Sequence, residues 1–365
     1  ENMKDYLARC AMLRSAMAGE GVDSFLASPS SDMLYLSGCP LKPSERLALL
    51  VLPPEVSPFL LVPALESPDL GGLAGLFAVH PWADPLDPIE LLRVVLGDAK
   101  ALTVAVSDQL WAAYLLQLQG GFPNARFIPG SRLLRTLRMV KDPEEIETLS
   151  EVSAMADRVF QKVLSIKVEG LTESQLSARL AIFMMEEGFE SLDFRIVASG
   201  ENGAAPHHFP GERRIEKGDP IVMDYGGTYR GYYADTTRTI CVGEPSSEFR
   251  DVYEIVRRAQ EAGIAAAKPG VEASIVDAAA RSIIEDAGYG DYFIHRTGHG
   301  IGLDVHEDPP IGKASATILK EGMAFTVEPG IYLPGRFGVR IEDVVVLTTQ
   351  GAQRLNQSPR ELMSV

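Results

Sequence analysis

Two glycine-bracketed segments constrain this chain more than any other feature. Gly170 and Gly188 enclose one helical pattern, and Gly270 and Gly288 enclose a second at the same interval. Each is preceded by a longer helical pattern and followed, further on, by a hairpin pattern. The first long helix opens at Lys141-Asp142-Pro143-Glu144-Glu145. There Asp142 is the N-cap, Pro143 takes the first helical position and Glu145 completes a capping box. Its apolar side carries Ile146, Leu149, Val152, Ala156, Val159, Phe160 and Val163 up to about Ile166. Thr172 and Gln175 form a second capping box, opening the helix that stops at Gly188. The second half repeats the plan, with helices from Ser247 to about Lys268 and from about Ala273 to Gly288. Two units are too few for a solenoid, so the repeat predicts one pseudo-symmetric domain. Its hairpins are expected to face each other in one curved sheet, with four helices behind and the site on the open face.

Both hairpins carry paired acids. Residues 220–242 read PIVMDYGGTYRGYYADTTRTICV, two β-branched runs around a Gly/Tyr-rich turn. With the turn centred between Tyr229 and Arg230, Asp224 lies opposite Asp235. Residues 323–347 read MAFTVEPGIYLPGRFGVRIEDVVVL, and centring them on Gly335 sets Glu328 against Glu342. Like charges directly across a ladder are destabilising unless they share something cationic. Between the hairpins, residues 295–307, HRTGHGIGLDVHE, hold three of the six histidines. Carboxylates with one or two imidazoles suit Mn, Fe, Co or Zn better than an all-oxygen calcium site. Four carboxylates balance two divalent cations, a hydrolytic arrangement.

The net charge of −16 argues against nucleic-acid binding, which needs a basic patch. Hydrophobic content of 46% and charged content of 23% are ordinary for a globular chain of 365 residues. Cys10, Cys39 and Cys241 are scattered and form no CxxC, which fits a reducing compartment. No apolar run approaches ~18 residues, so no membrane span is expected. The amino-terminal segment lacks a secretory apolar core, and a cytoplasmic location is the expectation.

Residues 1–130 read as a separate, smaller α/β domain, and residues 131–365 as the catalytic one. The first comprises a helix at Lys4–Ala18, strands at Val22–Ala27, Met33–Leu36, Leu47–Leu52, Phe59–Val62 and Leu102–Val106, and helices at Pro88–Leu96 and Gln109–Gln119. His80 and Asp84 stand alone and read as structural. This domain is expected to shape access or form a subunit interface. GHGIG, residues 298–302, is not a dinucleotide fingerprint, no P-loop or GxSxG elbow occurs, and Arg296 replaces the Glu that HExxH requires. His208 reads as a surface loop residue.

MDYGG, ADTTRT, GHGIGLDVHE, TVEPGIY and VRIEDVVVL, in that order, resemble the motifs of the pita-bread metallopeptidases, family M24, which include methionine aminopeptidase, aminopeptidase P, prolidase and creatinase. The resemblance implies an α+β architecture: a carboxy-terminal pita-bread domain with pseudo-two-fold symmetry after a creatinase-type α/β domain. It implies Asp224, Asp235, His299, Glu328 and Glu342 as ligands of two divalent metal ions, manganese first among Mn, Co, Zn and Fe, with Asp235 and Glu342 bridging. His207 and His306 are then non-ligand catalytic histidines that also bind substrate, and His295 and Arg340 further substrate-binding positions. Glu328 is the expected proton acceptor. The intact ligand set argues against creatinase and against non-catalytic relatives, and the long amino-terminal domain against methionine aminopeptidase. The expected activity is Xaa-Pro dipeptidase, on short proline-containing peptides. The alternative is aminopeptidase P acting on longer peptides, and a less favoured one is a peptide- or protein-binding scaffold without turnover. Several prolidases carry Arg after the HExP motif; here Pro310 follows Pro309, which points to activity on tripeptides as well. The resemblance also suggests a homodimer.

Overall fold

The computed structural model describes residues 6–54, 56–70, 72–73, 75–96 and 102–365. The chain forms two compact units, Glu1–Arg138 and Met139–Val365.

In the first unit, helix α1 (Tyr6–Gly19) leads to β1 (Ser24–Ala27), α2 (Ser31–Ser37), β2 (Leu49–Leu52), β3 (Phe59–Pro63), β4 (Ala78–Trp82), α3 (Pro88–Leu96), β5 (Thr103–Val106), α4 (Ala112–Gly121), β6 (Arg126–Pro129) and α5 (Ser131–Met139). The expected start of α1 at Lys4 lies outside the described residues. The six strands form one sheet in the order β4-β3-β2-β1-β5-β6. Leu26, Leu49, Val51, Leu61, Val104 and Leu118 lie in its core. One element departs from expectation. Met33–Leu36 is not a strand but part of α2, with Asp32 in its first turn and Gly38 at φ 72° closing it through a bond to the Leu34 carbonyl. A four-residue apolar run shows no period that separates strand from helix. Nor does Asp84 stand alone, since Arg46 Nη2 lies 2.8 Å from Asp84 Oδ2.

The second unit holds α6 (Pro143–Leu164), α7 (Glu173–Glu187), β7 (Phe194–Ser199), β8 (Pro220–Tyr229), β9 (Tyr232–Cys241), α8 (Ser247–Ala266), α9 (Ala273–Asp286), β10 (Gly298–Gly300), β11 (Glu307–Ile311), β12 (Ala324–Val327), β13 (Gly330–Leu333), β14 (Phe337–Arg340), β15 (Asp343–Thr348), β16 (Gly351–Arg354) and β17 (Met363–Ser364). Both capping boxes form. Asp142 accepts from Glu145 N at 2.9 Å, and Thr172 Oγ1 from Gln175 N at 3.1 Å. Gly170, Gly188, Gly270 and Gly288 all adopt positive φ, between 85° and 93°, which glycine does without strain; Gly188 and Gly288 follow helix ends, while Gly170 and Gly270 make the turns before the next helices.

The strands do not form one curved sheet. They divide into three hydrogen-bonded ladders: β17-β9-β8-β7, β11-β10-β12-β15-β16 and the pair β13-β14. Pro329 has no N–H to continue the second hairpin, so its ladder breaks between β12 and β13. Helices α6 and α7 pack Val152, Val159, Leu176 and Leu180 against Met223, Tyr225 and Ile240 of the first ladder. In the other half, Val256 and Ile284 meet Ile331 and Val339, while Val276 meets Phe325 and Val345. Strand alternation does the rest. Tyr225 faces the helices and donates to the Ala156 carbonyl at 2.9 Å, so Asp224 faces away from them.

Candidate active site

The two acid pairs arise differently. In the first hairpin Asp224 pairs with Thr237, and Asp235 with Gly226. The expected register is two residues out, because the turn is made by Arg230 and Gly231, both at positive φ (49° and 79°), as a type I′ turn requires. A shift of two keeps every side chain on its face, so Asp224 and Asp235 are diagonal neighbours on one surface. In the second hairpin Val327 pairs with Asp343 and Gly330 with Arg340. The same register carried across the break sets Glu328 opposite Glu342, as expected.

His299 comes from β10. Glycines on either side let neighbouring strands close in: a Cβ at Gly298 would collide with the Thr326 carbonyl, and one at Gly300 with the Asp308 carbonyl. The ring is oriented by Nδ1, 3.0 Å from the Gly300 carbonyl. Nδ1 therefore donates to that carbonyl, and Nε2 faces the acids. Nε2 lies 3.4 Å from both Asp235 Oδ2 and Glu328 Oε1. Ligand atoms of Asp235, His299 and Glu342, all three buried, lie within 4.8 Å of one another.

The electrostatics of this group call for cations. Burial, then the Asp224 and Glu328 charges, raises the Asp235 carboxyl well above its ordinary range. Burial and the Asp235 charge do the same to Glu342, and burial raises Glu328. Asp224 Oδ1 and Glu342 Oε1 are buried without a hydrogen-bond partner. Unpaired buried carboxylate oxygens are costly. Two oxygens left bare beside an imidazole nitrogen fit divalent metal ions.

All nine residues singled out from sequence line one cavity of about 770 Å³: His207, Asp224, Asp235, His295, His299, His306, Glu328, Arg340 and Glu342. They do not stand in it alike. His207 and His306 are exposed to it. The His306 ring lies edge-on to His299, centroids 4.3 Å apart. Desolvation and the His299 ring lower His306 to about 4. His295 is tied down at both nitrogens, Nδ1 2.7 Å from the Arg296 carbonyl and Nε2 2.8 Å from the Tyr332 hydroxyl. Burial lowers it to about 4. Arg340 is likewise engaged: it donates to Asp224 Oδ2 at 2.7 Å, Tyr332 Oη at 3.0 Å and Thr237 Oγ1 at 3.1 Å. Thr237 in turn donates to Glu342 Oε2 at 2.7 Å.

Two residues escaped the sequence reading. Arg296, set aside with HExxH, lines the cavity, is exposed, and its guanidinium has no hydrogen bond or ion pair among the described residues. Glu173, at the start of α7, is fully buried and is 2.7 Å from His208 Nε2. His208 is therefore not a free surface residue; a buried carboxylate recruits it.

Residues 147–349 match the model of metallopeptidase family M24, and residues 9–140 that of the creatinase/prolidase N-terminal domain. The chain belongs to metallopeptidase family M24. Its fold is the pita-bread fold preceded by a creatinase-type domain. Over 364 residues this M24 metallopeptidase is 42% identical to the probable dipeptidase PepE of Mycobacterium tuberculosis, covering 99% of this chain and 96% of that one. It is 37% identical over 349 residues to a Xaa-Pro dipeptidase of Lactobacillus helveticus, covering 93% and 94%. The crystal structure of recombinant prolidase from Thermococcus sibiricus superposes with a TM-score of 0.94 at 40% identity, covering 100% of both chains. Family M24 depends on a dinuclear metal centre, which suits the carboxylate and histidine group of this cavity. No helix among the described residues is long and apolar enough to cross a membrane.

Proposed function

We propose that this metallopeptidase hydrolyses the Xaa-Pro bond of dipeptides. Asp224, Asp235, His299, Glu328 and Glu342 would hold two divalent ions, manganese first among Mn, Co, Zn and Fe. The observation that carries the reading is the pair of bare buried oxygens, Asp224 Oδ1 and Glu342 Oε1, in one cavity with the other three residues. Relatives named dipeptidase and Xaa-Pro dipeptidase support the substrate class.

When bound, the ions supply Lewis-acid polarisation of the scissile carbonyl and a water of lowered pKa. The protein's own groups do the remainder. Glu328, a carboxylate whose proton affinity burial raises, accepts the proton of the attacking water. It returns that proton to the proline nitrogen, which is a tertiary amide nitrogen in the peptide and leaves poorly without one. His207 and His306 donate hydrogen bonds to the substrate carbonyl as charge develops on it. Arg340 and His295, both hydrogen-bonded within the protein, hold the cavity wall in place. Arg296 brings an unpaired cation to the cavity, and we assign it to the free carboxylate of the dipeptide, a charge-assisted contact that suits guanidinium.

Pro310 favours activity on longer Xaa-Pro peptides as a second reading. It pairs with His299 across β10 and β11, so the position where several prolidases carry Arg lies beside the site and has no charge. Hydrolysis of a Xaa-Pro dipeptide, a Xaa-Pro-Xaa tripeptide and a Xaa-Ala dipeptide, with Mn, Co and Zn each added to metal-free protein, tests both readings. Cleavage of the Xaa-Pro dipeptide and not of Xaa-Ala, returning with metal, is expected; comparable cleavage of the Xaa-Pro-Xaa tripeptide favours the second reading. Absence of turnover with every metal overturns the peptidase reading and leaves the scaffold. The homodimer, by resemblance, is part of the same proposal, and so is the cytoplasmic location, which the scattered cysteines favour.

A further inference from the structure

We infer that Glu173 and His208 form a positioning pair whose task is to hold His207 at the cavity; this rests on the reading above, in which His207 touches the substrate. His207 belongs to the segment 205–211, which lies outside every strand and helix. Its own ring makes no hydrogen bond among the described residues. Burial does not hold the segment either, because Phe209, two residues on, is 89% exposed. What places His207 is therefore the anchoring of the main chain on either side of it.

That anchoring converges on one carboxylate. Glu173 Oε1 accepts from Ser199 N at 2.7 Å, Ser199 Oγ at 2.8 Å and Asn202 Nδ2 at 3.0 Å. Glu173 Oε2 accepts from His208 Nε2 at 2.7 Å and Gly211 N at 3.1 Å. Five donors from residues 199–211 thus meet one fully buried side chain. The first turn of α7 adds the favourable end of a helix dipole. These hydrogen bonds, set against burial, hold the Glu173 carboxyl below its ordinary value. An ionised carboxylate only accepts, so His208 Nε2 carries the proton. The bond fixes the residue next to His207, while Arg340 Nη1 reaches the Pro206 carbonyl at 3.4 Å on the other side. His208 thus turns toward Glu173 while His207 lines the cavity.

The test is a double-mutant cycle on the metal-loaded protein. His208→Ala should lower kcat about ten- to a hundredfold, the usual cost of losing an outer partner of a site residue, and change KM much less. His208→Gln should recover most of the loss, because the glutamine amide places an N–H where Nε2–H stood. In a His207→Ala background, His208→Ala should cost almost nothing further, since a positioning residue has nothing left to position. An equal loss in both backgrounds overturns the proposal, as does no loss in the native background. If His208→Ala does not fold, Glu173→Gln, which keeps size and removes the charge, is carried through the same cycle with the same two outcomes. If His207→Ala alone retains kcat within a fewfold, the fault lies with the role of His207 in the reaction, and the pair has no catalytic purpose.

Discussion

Arg340 spends one nitrogen on one oxygen of Asp224: Nη2 sits 2.7 Å from Oδ2, and Oδ1 of the same carboxylate is left bare. The guanidinium thereby leaves Oδ1 as the oxygen that a cation would take. Removing it frees the carboxylate to rotate and leaves Tyr332 and Thr237 short of a donor. Arg340→Ala should weaken metal affinity about 10–100-fold, the range for an outer partner of a ligand. Competition with a chelator of known affinity measures this, and unchanged affinity would remove Arg340 from the role.

His306 and His299 stack edge to face, yet only His299 is placed among the acids. His306→Ala should lower kcat by roughly 10²–10³, the cost of one oxyanion donor, with a much smaller change in KM. Its metal content should remain that of the native protein. His299→Ala should lose metal and activity together. Elemental analysis beside steady-state kinetics separates the two, and loss of an ion from His306→Ala would make it a ligand instead.

Arg296 offers a sharper test of chain length. Losing one charge-assisted contact of about 1.5–3 kcal/mol corresponds to about 10–150-fold in binding. Arg296→Met should raise KM for a Xaa-Pro dipeptide by that order and leave the C-terminally amidated dipeptide unaffected. If both substrates suffer alike, Arg296 does not read the carboxylate.

Glu173 sets a pH dependence. Its folded-state pKa is lowered from 4.5, so it binds fewer protons in the folded state than in the unfolded one. The stability it contributes is full above the unfolded value and is lost as pH falls through the folded value. Urea unfolding should show the native protein losing stability below about pH 4.5. Glu173→Gln should be less stable at pH 7 and should lack this component of the acid loss. Parallel pH curves for the two proteins would contradict the assignment.

Much of this could be read ahead because local rules and global fold agree. Asp142 and Glu145, or Gly188 and Gly288, act within a few residues of themselves, and their helices begin and end where those residues dictate. The hairpin pattern sets Asp224 and Asp235 on one face even with the register two residues out, because strand alternation forgives a shift of two. Arg230 at positive φ was not foreseeable, since nothing in an arginine announces that conformation. The run Met33–Leu36 was too short to show a period. Glu173 is, in sequence, one more acid in the first turn of a helix, and its partners lie 26 to 38 residues away. Only the folded chain reveals that it gathers them.

The separation of the ladders has a thermodynamic consequence. Asp224 and Asp235 belong to one ladder, His299 to another, and Glu328 and Glu342 flank the break between the second and third. Main-chain bonds from Glu342 N to the Thr237 carbonyl and from Tyr233 N to the Gly302 carbonyl bridge the first two halves. Thr239 Oγ1 adds a side-chain tie to Arg340 on both its N–H and its carbonyl. Ions held by all five residues would therefore act as a cross-link between structures that share few backbone bonds. Metal loading should slow amide hydrogen exchange at Tyr233 and Glu342 more than within β8 or β15, making the catalytic centre also the rivet of its own domain.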